Sequence, residues 1–297
     1  MSAAEHESLA LVLAVAAACA VPGTWLVIRR QAMTGDAVSH VLLFGVVVGY
    51  LVIRDLDSPL LQLAAAASGL LAVGLVELLR RTGRVAGDAA LGLVFPALFA
   101  GGSLLASLYL RGTHLDVDAV LLGHAEFAGL ADPVSVGGVP LGRRPAVVLW
   151  GLFLLSAVLT ALLWKPLAVT SFDPGFAAGL GFRPGWVQAA LLAVVSLTTV
   201  AAFDAVGPVL VVAFLAVPAA TARLLSDRLG WVLSEAIGVG LGGAVVGVRL
   251  AFAAGTTVAG AVAVSLGGLF LLALIFRAVL DRVAGAKQVR AEACATI

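Results

Sequence analysis

The chain is short of charge. Only 12% of its 297 residues are Asp, Glu, Lys or Arg, against about a quarter in a soluble domain of this length. An ordinary soluble fold is therefore excluded. Cysteine is scarce too: Cys19 and Cys294 lie far apart and have neither metal nor redox spacing, so they read as a small apolar residue and a tail thiol. A net charge of +1 leaves no basic face to neutralise phosphates, which excludes nucleic-acid binding. No Gly-x-x-x-x-Gly-Lys-Ser/Thr stretch occurs, so the chain has no phosphate-cradling loop of its own. None of the four histidines sits in His-Glu-x-x-His, which weighs against an intramembrane metalloenzyme. Finally, the segment ending Ala16-Ala17-Ala18-Cys19 lacks a basic region ahead of it, with Glu5, His6 and Glu7 there instead. It reads as a first membrane span rather than a cleaved leader.

What the chain has in abundance is hydrocarbon: 62% of its residues are hydrophobic and its mean hydropathy is +1.12. About twenty consecutive apolar residues cross a bilayer as a helix. Such windows fall at roughly 8–28, 37–53, 59–79, 89–110, 146–164, 186–203, 205–222, 231–254 and 257–280, with the seventh beginning at a tight junction near Asp204. The expectation is an all-α integral membrane protein, one polytopic domain over 1–297 built as a bundle of about nine transmembrane helices. With the N-terminus outside, Arg29, Arg30, Arg80, Arg81, Arg84, Lys165, Arg183, Arg223, Arg228, Arg277, Arg282, Lys287 and Arg290 fall on the inner side. Arg54, Arg111, Arg143 and Arg144 fall on the outer side, and that bias fixes the orientation, with a cytoplasmic C-terminus. A long outer loop then covers about 111–145, where Asp132-Pro133 and Gly137-Gly138-Val139-Pro140 supply turns. An inner loop covers about 165–185, where Asp173-Pro174 predicts a capped short helix. Runs of small residues such as Gly238–Ala244 let backbones approach closely, chiefly within one subunit.

Against this background Asp36 and His40 stand out. Polar groups inside a membrane span are costly and call for a function. At a spacing of four they share one helical face, with Ser39 beside them. A carboxylate and a neutral imidazole suit Mn²⁺, Fe²⁺ or Zn²⁺ and argue against Cu⁺. One chain offers two such ligands; a two-fold pair of chains would bring four to the axis. The competing reading is that Asp36 merely caps a helix and His40 bonds a neighbouring carbonyl. On the outer side His114, Asp116, Asp118, His124 and Glu126 form a second group that either hands over a cation or is a solvated rim.

The stretches Arg30–His40, Gly87–Pro96, Leu115–Gly123, Phe172–Gly181 and Ala202–Leu225 together resemble the permease subunits of bacterial ABC importers for divalent metals, the manganese/zinc/iron group. In order and spacing they run along the whole chain. One departure is Phe44, where relatives usually carry a proline that would kink the helix. The resemblance implies a type-II importer in a prokaryotic plasma membrane: two permease subunits (identical or related), ABC ATPase subunits inside and an extracytoplasmic metal-binding protein outside. It implies no permanently bound cofactor, only the transported Mn, Zn or Fe ion, with manganese favoured. It places the metal on Asp36 and His40, with Ser39, Asp116, Asp118 and His124 as further path candidates. It also places ATPase coupling at about 218–230, through Pro218, Thr221, Arg223, Asp227 and Arg228. The alternative function is a secondary metal transporter driven by an ion gradient, which would need no ATPase.

Overall fold

The computed structural model describes residues 3–54, 58–85, 87–109, 133–136 and 139–295. Long helices dominate: α1 (Ala3–Ile28), α2 (Met33–Ile53), α3 (Pro59–Arg81), α4 (Gly87–Tyr109), α5 (Arg144–Leu162), α8 (Pro184–Val206), α9 (Pro208–Leu225), α10 (Leu229–Ala254) and α11 (Val258–Ala295). Two short helices, α6 (Trp164–Phe172) and α7 (Pro174–Gly179), lie between α5 and α8. Eight of the long helices have the length and composition to cross a membrane, and α3 carries the shorter apolar run Leu63–Leu79. An all-helical bundle of about nine spans is what the sequence predicts, and the spans fall where expected.

The differences lie at the edges. The segment ahead of α5 contains an antiparallel hairpin, β1 (Pro133–Val136) and β2 (Val139–Arg143), which apolar windows could not reveal. Helix α2 begins at Met33, four residues earlier than expected. The junction between α8 and α9 is not at Asp204, which is an exposed residue inside α8. It is at Gly207, whose φ of 82° is a conformation that favours glycine. Pro208 then starts α9, its fixed φ suiting the first helical turn.

Helix α1 is the hub. It packs against α5, α8, α9 and α10, and Val12, Ala14, Val15, Ala16, Ala18 and Cys19 are fully buried. Small residues allow this. Gly240 of α10 faces Ala16, while Gly243 and Gly247 close on Leu266 and Val262 of α11. These approaches are all within one chain. A second cluster joins α2, α3 and α4 to one side of α8 through Val41, Leu42, Ala65, Val94, Phe95 and Val200. Helices α3 and α8 are also stitched by the Ser196 hydroxyl, which donates to the Ala66 carbonyl at 3.1 Å. Near the other end of α1, Trp25 donates its indole N–H to Thr160 Oγ1 at 3.2 Å and meets Trp164 edge-on.

At the opposite end of the bundle Arg143 donates from Nη2 to Glu7 Oε1 at 2.7 Å. The pair ties the hairpin to the start of α1, and it places Arg143 at the same end as the N-terminal residues. Asp173 caps α7 as expected, its Oδ1 accepting the Phe176 N–H at 2.9 Å. Asp173→Ala is expected to cost about 1 kcal/mol, read as a lowered thermal midpoint of the purified protein; an unchanged midpoint would show the cap idle.

Candidate metal site on helix α2

Helix α2 starts only a few residues after α1 ends, and the turn between them is tightly specified. The Gln31 N–H bonds the Leu26 carbonyl and the Arg30 N–H bonds that of Val27. This paired pattern closes a helix with a left-handed residue after its cap, usually glycine. Here Arg30 holds that position at φ 59°. The first turn of α2 follows at once, with Thr34 N–H on the Gln31 carbonyl at 2.9 Å.

The residue before α2 is Ala32, in helical conformation with no side-chain cap. Asp36 is the fourth residue of the helix, beyond the N-cap position. Asp36 and Ser39 are described in their backbone, one turn and nearly two turns into α2. His40 is exposed in the single chain, its ring edge-on to Phe99 of α4 with centroids 5.8 Å apart.

What holds α2 in this attitude is close packing on three sides. Gly35 meets Leu215 of α9, where an added Cβ would lie 2.8 Å from Cδ1. Gly45 and Gly49, four apart, receive Ser68 and Ala64 of α3. This is the small-residue spacing that permits close transmembrane contact. Ser68 strengthens it by donating to the Val41 carbonyl across the interface at 3.2 Å. Phe44 lies against Gly101 and Gly102 of α4, and a Cβ on Gly102 would fall 2.8 Å from the Phe44 Cα. The helix runs unbroken through Phe44. Asp36 and His40, one turn apart, lie on the stripe of α2 that continues to Phe44, beside α4.

Among the described residues no three of His, Cys, Asp and Glu come together as a metal site. Asp116, Asp118 and His124 lie outside the described residues. Of the expected coupling residues, Pro218 and Thr221 are buried inside the bundle, Thr221 donating to the Val217 carbonyl at 2.7 Å. Arg223, Asp227 and Arg228 are exposed where α9 turns into α10. At the same end α6 and α7 expose Phe172, Phe176 and Leu180.

Sequence reasoning missed the polar cluster below α2. Arg29 donates from Nε to Ser171 Oγ and from Nη2 to Thr170 Oγ1, both at 2.9 Å, and from Nη1 to Gln188 Oε1. Gln188 in turn donates from Nε2 to Gln31 Oε1 at 2.8 Å. Burial lowers the pKa of Arg29 to about 10, which leaves it charged at neutral pH. Its partners lie about 140 to 160 residues away, and no local pattern announces them. The Gly45–Gly49 pair, by contrast, was a readable signal.

The comparisons with known proteins agree with this architecture. A model of the ABC 3 transport family matches residues 5–277. The manganese transport system membrane protein MntD of Bacillus subtilis is 40% identical over 88% of this chain and 88% of its own length. The zinc transport system membrane protein TroD of Treponema pallidum is 42% identical over 91% of this chain and 73% of its own. Among solved structures, PsaBC from Streptococcus pneumoniae in complex with Fab has the same fold, with a TM-score of 0.74 at 22% identity over 92% of this chain and 91% of that one. The match along nearly the whole chain, and two relatives of this identity, place the protein in the ABC 3 transport family: it is a membrane-embedded transport permease, not an enzyme.

Proposed function

We propose that the chain is the membrane subunit of an ATP-driven importer for a divalent transition-metal ion, with manganese favoured and zinc or iron as alternatives. The observation that carries the reading is His40, an imidazole exposed on a packed spanning helix, with a carboxylate one turn before it. Exposed to lipid, such a pair would be costly. Facing the same pair on a second permease subunit, it becomes half of a four-ligand site on the shared axis. Oxygen and nitrogen donors suit the metals for which the two relatives are named, manganese and zinc. A site open to water and completed between subunits binds weakly enough to release its ion, as transport requires.

The Arg29 end of the bundle is cytoplasmic in this reading, by the excess of Lys and Arg there. The ATPase docks at that end on Arg223, Asp227 and Arg228, with the exposed Phe172, Phe176 and Leu180 beside them. An extracytoplasmic metal-binding protein delivers the ion at the Glu7 end, where Asp116, Asp118 and His124 are candidates for the entrance and Ser39 for the path beyond. Alternating access of α2 between the two ends then moves the ion inward.

The test is reconstitution. The chain, expressed with an ABC ATPase subunit from the same organism, should co-purify with that ATPase and take up Mn²⁺ or Zn²⁺ into proteoliposomes only when ATP is hydrolysed on the Arg29 side. Uptake driven by an ion gradient in the absence of any ATPase would replace this reading with secondary transport.

A further inference from the structure

The Arg29 cluster has no role in the proposal so far, and its chemistry is unusual. A guanidinium is costly to remove from water, yet Arg29 is partly buried and all three of its acceptors are neutral. Among the described residues no carboxylate pairs with it. A Met or Leu would fill the same space without that cost. What an arginine supplies instead is a rigid planar fork that reaches several acceptors at once.

The acceptors are arranged to receive it. The Thr170 hydroxyl passes its own proton to the Pro166 carbonyl at 2.6 Å, and the Ser171 hydroxyl passes its proton to that of Leu167. Both therefore present lone pairs to Arg29. Because Arg is a donor only, Gln188 must turn its carbonyl oxygen toward it. That orientation aims the Gln188 NH₂ at Gln31, the bond observed. The hydrogen bonds thus diverge from Arg29 in two directed branches, one into α6 and one through Gln188 to Gln31. The last member is the residue whose carbonyl starts the first turn of α2. On the far side of the same turn, Gly35 is pressed against Leu215. The start of α2 is held between these two, one turn before Asp36.

We propose that Arg29, acting through Gln188 and Gln31, is a positioning residue for the metal site: it sets the rotation and height at which α2 presents Asp36 and His40. This rests on the metal-site reading above. It assigns to Arg29 a part in metal affinity although it lies outside the ligand set. It also links that affinity to α6 and α7 at the end where the ATPase docks.

The experiment measures equilibrium binding of Mn²⁺ and of Zn²⁺ to the purified permease–ATPase complex, together with its thermal midpoint. Arg29→Met and Gln188→Leu should each weaken binding by about tenfold, the size of effect seen when groups that orient metal ligands are removed. Arg29→Lys, which keeps the charge but cannot span the three acceptors, should fall between Arg29→Met and the natural protein. The thermal midpoint of Gln188→Leu, which leaves the charge in place, should stay close to that of the natural protein. Unchanged affinity in Gln188→Leu and Arg29→Lys overturns the proposal, as does a loss in affinity that merely follows the thermal midpoint. If Arg29→Met does not assemble, the other two variants still decide. Should the unsubstituted complex bind neither ion, the metal-site reading itself falls; should it bind while only Asp36→Ala abolishes binding, the failure belongs to Arg29 alone.

Discussion

Asp36→Ala and His40→Ala should each reduce ATP-driven metal uptake by about a hundredfold or more, while the permease still inserts and still pairs with its ATPase. The magnitude follows from leaving a partly desolvated cation without one of its few ligands, a loss of about 3–5 kcal/mol when a charge loses its buried partner. Assembly should survive because His40 is exposed in the single chain and the packing of α2 is carried by Gly35, Val41, Leu42, Gly45 and Gly49. Asp36→Asn separates charge from shape: it keeps the volume and one acceptor oxygen, and should be nearly as damaging as Asp36→Ala. His40→Cys offers a softer ligand and should shift preference toward Zn²⁺ over Mn²⁺. Normal uptake by both alanine variants, measured with either ion, would remove α2 from the pathway.

The second large effect is structural. Gly23→Ala is expected to destabilise the protein by about 3 kcal/mol, the upper part of the usual range for overpacking. An added Cβ there would stand 2.2 Å from the Leu215 carbonyl oxygen and 2.9 Å from its Cα. Both are backbone atoms of α9 that no side-chain rotation can move aside. Leu215 is also the residue pressed on Gly35, so α1 would have to displace α9 at the point that seats α2. Gly74→Ala is the matched control: it lies in α3 with nothing within 4 Å of the added Cβ. There the gain in helix propensity should stabilise by up to about 1 kcal/mol. Thermal midpoints and gel-filtration profiles in detergent would read both. Equal midpoints for Gly23→Ala and the natural protein would mean the α1–α9 contact is looser than described.

Much of this architecture was legible because a bilayer imposes so simple a constraint. Twenty apolar residues announce a span whatever its neighbours, so Leu9 to Ile28 and its successors could be placed without tertiary information. The errors came where packing overrides local propensity. Thr34 and Gly35 look like a loop before α2, yet Gly35 is helical because Leu215 fills the space a side chain would take. The α8–α9 junction went to Asp204 because a carboxylate reads as an end, whereas a positive φ at Gly207 and a proline after it make the turn. The β1–β2 hairpin is too short and too weakly alternating to stand out inside a polar loop. In the candidate site, the spacing of Asp36 and His40 was visible at once. The residues that orient them were not. Arg29 read only as part of the charge that sets orientation, since Thr170, Ser171 and Gln188 become its partners only after α1, α6 and α8 have packed. Pro218 and Thr221 were visible as part of a motif, whereas their burial within the bundle was not.

The central position of α1 carries a consequence for biogenesis. It is made well before two of its principal partners, α9 and α10, which begin at Pro208 and Leu229. At about 5–20 residues per second, α1 must wait on the order of ten seconds in lipid before the bundle can close around it. Its run of Val, Ala and Leu, apolar on every side, makes that wait tolerable. Helices α2, α3 and α4 are adjacent in sequence and pack on one another, so they can consolidate meanwhile. Helix α2 would then be seated against α3 and α4 before the hub beside it is complete, and the arrival of Leu215 on α9 is the late step that locks the two together.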